Sequence, residues 1–109
     1  MILFRVIKRS RPNLSDFWSD LALGNDPLPD QLREPLLWAG VSMFADLQLT
    51  ITNTRAYSLG RAVARLDIPD EADVILRPTA GRGHFSVVGT PHRLKSLVSG
   101  DAIEITASA

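Results

Sequence analysis

The run from Ala62 to Ile68 constrains the fold more than any other stretch. Ala62, Ala64, Leu66 and Ile68 alternate with Arg61, Val63, Arg65 and Asp67. A period of two places successive side chains on opposite faces of an extended chain. One of those faces is apolar and the other carries three charges, so the segment reads as a strand with one wet face. Strands of all-parallel sheets are covered on both faces, whereas antiparallel sheets leave one face to water. The chain should therefore build a mixed or mostly antiparallel sheet, and an all-helical fold is excluded.

Further elements follow from the same patterns. Ile2 to Ile7 is rich in β-formers and reads as a first strand, ended by Ser10-Arg11-Pro12. Leu14, Phe17, Trp18, Leu21 and Ala22 recur at helical spacing, with Asn13 or Ser15 as cap, Asp16 and Asp20 on the wet side and Gly24 as stop. Asp30 can cap a short helix through Leu37, with Leu32, Leu36 and Leu37 inward, although Pro35 limits it to a turn or two. Val41 to Phe44 reads as a strand. Leu47 to Thr54 alternates like a strand, yet Asp46 could cap a helix there. Val74 to Leu76 and His84 to Val88 read as strands. Thr90-Pro91 starts a helix with Leu94, Leu97 and Val98 inward, and Ala102 to Thr106 closes as a strand. The expectation is one α+β domain spanning 1–109, with two to four helices.

Composition excludes several function classes. Twelve basic and twelve acidic residues give a net charge of zero, which argues against sequence-specific duplex binding driven by phosphate neutralisation. No cysteine is present, so disulfide frameworks and cysteine chemistry are excluded and a reducing, cytoplasmic setting is expected. No apolar run reaches membrane-spanning length. The basic residues form two clusters, one at Arg5, Lys8, Arg9 and Arg11 and one between Arg77 and Lys95. Whether they meet decides if a neutral chain presents a basic face.

The second cluster holds the best candidate site. Both histidines and three of the seven glycines lie between Arg77 and His92. Glycine permits positive φ and close approach of a ligand to the backbone, and Arg and His supply donors to an anion. Gly81-Arg82-Gly83-His84 is therefore either an anion contact or a hairpin turn with Arg82 at its tip. The spacing is that of neither a Walker loop nor a dinucleotide fingerprint. His84 and His92 lack further ligands at a diagnostic spacing, so no metal is expected. The acidic turn of Asp67, Asp70, Glu71 and Asp73 lacks an EF-hand pattern and reads as a solvated loop. Phe17, Trp18 and Trp38 read as core.

Phe4-Arg5-Val6 on a first strand and Gly40-Val41-Ser42-Met43-Phe44 on a second, followed by a helix, distantly resemble the ADP-ribosyltransferase-type toxins, particularly the small bacterial RES-domain toxins. That resemblance favours helix for Leu47 to Thr54. It implies NAD as cofactor, with Arg5 as the NAD arginine, Ser42 or Phe44 supporting the nicotinamide, and Glu104 as the catalytic acid. It also implies a toxin–antitoxin or mobile-element setting. Gly83-His84-Phe85 is similar to a strand shared by small bacterial proteins of no assigned activity.

The residues themselves favour a non-enzymatic binding module that needs no cofactor. Arg77, Arg82 and His84 would contact a protein partner or small anionic ligand, joined by Arg5 and Arg9 if the first strand lies beside 84–88. The NAD-using transferase is the alternative, and a third reading is a protein–protein adaptor that associates through a sheet edge, with a homodimer as one form.

Overall fold

A computed structural model describes residues 1–105. It contains six strands and four short α-helices in the order expected of an α+β chain. The strands are β1 (Ile2–Ile7), β2 (Val41–Phe44), β3 (Ala62–Asp67), β4 (Ile75–Pro78), β5 (His84–Val88) and β6 (Ile103–Glu104). They form one sheet in the order β4-β5-β2-β1-β3-β6, and every neighbouring pair is antiparallel. The final strand is shorter than the expected 102–106, and Thr106 lies outside the described residues. The radius of gyration, 13.2 Å, equals the roughly 13 Å of a single packed domain of this length.

The sheet registers explain which residues face the core. Leu3 opposes Leu66, Arg5 opposes Ala64 and Ile7 opposes Ala62. Val41 opposes Val87 on the far side. These apolar residues are almost fully buried and pack with Phe17, Leu94 and Leu97. Arg5 is the one charged residue of β1, and it points to this core-facing side. The opposite face carries Phe4, Phe44 and His84 in one cross-strand row, followed by Ser42 opposite Ser86.

The helices cover the sheet. α1 (Pro29–Arg33) and α2 (Leu36–Ala39) are separated at Pro35, as its missing N–H and fixed φ require. Leu32 is exposed rather than inward, while α2 leans on β5 and β2. α3 (Leu47–Tyr57) is a helix capped by the Asp46 carboxylate, which accepts from Leu49 N. It joins β2 to β3 across β1. Its buried residues are Thr50 and Thr54, whose hydroxyls donate to carbonyls four residues earlier. Satisfied in this way, a threonine packs like a small apolar residue. α4 (Pro91–Ser96) starts at the expected Thr90 cap and buries Leu94.

The helix expected over 14–23 is replaced by a single 3₁₀ turn, Leu14–Phe17. Asn13 caps it as expected, but Asp16 turns inward instead of lying on the wet side. Both its carboxylate oxygens accept backbone N–H bonds, from Lys8 at 3.1 Å and Asn13 at 2.8 Å. The chain then leaves in extended conformation at Trp18. Phe17 alone of the apolar periodicity is buried; Trp18 and Leu21 are exposed. A buried carboxylate holding two N–H groups outweighs the continuation of an amphipathic helix.

Candidate functional site

The glycine segment joins β4 to β5 as a hairpin. Gly81 and Gly83 take positive φ, +92° and +76°, and Ala80 does so at 49°. An added Cβ at either glycine would meet open space, so the tip stands clear of the body. Arg82 is exposed between them. The loop is tied at its base by Thr79 N donating to the His84 carbonyl and by Ala45 N donating to the Gly83 carbonyl.

Behind the tip lies a polar row. The Thr79 hydroxyl is 3.1 Å from His84 Nδ1 and 2.8 Å from the Ser86 hydroxyl. His84 Nδ1 is also 3.1 Å from the Thr79 carbonyl. With its proton on Nδ1 the ring donates to that carbonyl, and with Nδ1 bare it accepts from the Thr79 hydroxyl. The ring meets Phe44 edge-on, with centroids 5.1 Å apart. Burial holds the His84 pKa below its ordinary 6.5, opposed by the Thr79 carbonyl and by Glu34. Ser86 is 1% exposed beneath Gly40, whose added Cβ would lie 3.0 Å from Ser86 Cβ.

An acidic residue from elsewhere completes the site. Glu34, at the corner between α1 and α2, accepts from Ala80 N through Oε1 at 3.3 Å. Arg77 sits in register with Ser86 on the same face and is exposed, its Nη1 donating to the carbonyl of Leu76. The hairpin thus gathers Arg77, Arg82 and His84, which the sequence nominated. It adds Thr79, Ser86 and Glu34, for which the sequence gives no local signal.

The two basic clusters do not meet at this site. Arg9 leaves the Ile7 end of β1, whereas the hairpin tip lies beside Phe44, at the level of Phe4. Three residues of strand and two strand spacings already put Ile7 about 14 Å from the tip, and Arg9 lies two residues beyond it. His92 and Arg93 lie on α4, and Arg93 is engaged by Asp73 at 2.5 Å.

The residues named by the transferase resemblance are only partly brought together. Arg5 Nη1 donates to the Ser42 carbonyl at 3.1 Å and Nε to the Asp16 carbonyl at 2.9 Å. Burial lowers the Arg5 pKa from its ordinary value, opposed by Asp16 and Asp20. Glu104 is exposed on β6, opposite Ala62 and two strands from β1. Strand geometry puts it about 12 Å from Arg5, measured between backbones. The described residues hold no group of three His, Cys, Asp or Glu placed to bind a metal, and no helix long and apolar enough to cross a membrane.

No family model, curated protein or solved structure matches the chain.

Proposed function

We propose that this chain is a non-catalytic binding domain that receives an anionic group, phosphate or carboxylate, at the β4–β5 hairpin. One observation carries this reading: the hairpin already takes a carboxylate from elsewhere in the chain, that of Glu34 on Ala80 N. Arg77 and Arg82 flank Ala80 along the same hairpin, exposed and without an acidic partner within 4.0 Å among the described residues. They can supply charge-assisted bonds to an incoming anion. Glu34 then acts as an internal occupant that the ligand displaces.

The NAD-using transferase would need Glu104 beside Arg5, and they stand two strands apart. Both of the Arg5 bonds go to main-chain carbonyls, which is the work of a structural tie. Binding is therefore the better reading.

The test is a titration of the labelled protein with phosphate, acetate and NAD, followed through the backbone amides. Saturable shifts of residues 79–84 are expected, lost in Arg82→Ala/His84→Ala and strengthened several-fold in Glu34→Gln. Hairpin amides that ignore every anion would refute the assignment. A response to NAD that requires Arg5 and Glu104 would restore the transferase.

A further inference from the structure

The segment after β1 forms a separate cationic pocket. Lys8, Arg9, Arg11, Asn13, Ser15 and Asp16 line a half-open surface pocket of about 600 Å³, within the size range of sites for small organic ligands. Three cations line it. The single acidic member, Asp16, is 3% exposed with both oxygens spent on the N–H groups of Lys8 and Asn13. It shapes the loop rather than neutralising the rim. Among the described residues the ion pairs are Arg33–Asp30 and Arg93–Asp73, so Lys8, Arg9 and Arg11 face solvent with no acidic partner.

The loop is also held in place before any ligand arrives. The Asp16 carboxylate pins it at both ends, the Asn13 side chain accepts from Ser15 N, and Arg5 ties the Asp16 carbonyl to the sheet. A loop fixed in this way loses little freedom on binding, which raises affinity for a given set of contacts. Its hydroxyls at Ser10 and Ser15 and the Asn13 amide can donate between the charges.

We infer that the Lys8–Asp16 loop is a second anion-binding site, distinct from the hairpin, built for the phosphate of a small phosphorylated molecule. A concave pocket with three cations suits a compact, multiply charged group. An extended polyanion would instead call for a long basic stripe and a dominant positive field, and this chain has a net charge of zero. The cavity is larger than a phosphate needs, which leaves room for the molecule that carries it.

The experiment titrates inorganic phosphate, a sugar phosphate and a short single-stranded oligonucleotide into the full chain, read by amide shifts and calorimetry. Expected are saturable shifts confined to residues 8–16, with the sugar phosphate binding more tightly than phosphate alone. Arg9→Ala/Arg11→Ala should weaken it at least tenfold at an unchanged melting midpoint, and Arg82→Ala/His84→Ala should leave it intact. That last arm separates this site from the hairpin. The inference is overturned by no saturable response, by an undiminished response in the Arg9/Arg11 variant, by phosphate binding more tightly than its ester, or by an oligonucleotide that outcompetes both.

Discussion

Arg5 donates to the carbonyl oxygen of Asp16 at 2.9 Å, tying a strand in the middle of the sheet to the turn that follows it. The same guanidinium reaches the Ser42 carbonyl on β2, where the β1–β2 ladder is confined to the Phe4–Phe44 pair. A side chain thus supplements a short ladder. Replacing Arg5 with Met keeps much of its apolar stem but leaves two carbonyls without their donor. The expected loss is about 2–3 kcal/mol of unfolding free energy by urea denaturation. An Arg5→Met variant as stable as the parent would remove the structural role assigned to this residue.

Asp16 should be more sensitive to charge than to shape. Asp16→Asn retains the size but replaces one accepting oxygen with a donor that faces a backbone N–H. A cost of about 1–3 kcal/mol is expected for the unsatisfied group. Amide exchange at Lys8 and Asn13 should accelerate in this variant, and unchanged exchange there would contradict the role given to the carboxylate.

His84 gives the fold a pH dependence. Its folded pKa lies below the ordinary 6.5, so the unfolded chain binds its proton more readily than the folded one. Stability is then greatest above that range and falls as the pH drops through 6.5 toward the lower folded value. Denaturation curves at pH 7.5 and 5.5 should differ in the parent, and His84→Gln should flatten the difference. The carboxyl of Asp73, lowered from its ordinary 3.8 chiefly by its bond from Arg93, acts in a separate, more acidic range.

Gly60 is required for space rather than for backbone freedom. A Cβ there would run into the Ile7 carbonyl and lie 2.8 Å from Val6 Cγ1. Gly60→Ala should therefore cost about 2 kcal/mol by forcing α3 and β3 away from β1. Gly24→Ala offers a control: nothing lies within 4 Å of its added Cβ, although its φ of +77° is unfavourable, so about 1 kcal/mol is expected. Thermal melts that rank the two in the opposite order would show that the chain crossing at Gly60 is looser than described.

Local patterning carried most of the elements. The alternation at Ala62–Ile68 announced β3, and the Thr90-Pro91 pair announced the start of α4. Asp46 marked the cap of a helix that alternation alone could not separate from a strand, and the buried side proved to be Thr50 and Thr54. The helix expected over 14–23 failed because its periodicity counted Asp16 as a wet residue. The Asn13-x-x-Asp16 spacing of a capping pair was the available sign that this carboxylate turns back to the chain.

For the candidate site, the sequence determined the chemistry and the tertiary structure determined the company it keeps. Gly81, Arg82, Gly83 and His84 are contiguous, so a flexible cationic turn was legible from composition and spacing. Thr79 and Ser86 join His84 only because β4 and β5 pair in one register, and Glu34 reaches Ala80 only because α2 settles on β5. The separation of Arg9 from the hairpin tip likewise follows from strand direction, because the tip lies level with Phe4 and Arg9 leaves the Ile7 end of β1, the end from which β5 leads into α4. Residue types and local periods are properties of neighbours along the chain; register and strand order arise from non-local packing, where burial of one sheet face selects among pairings that the sequence leaves open.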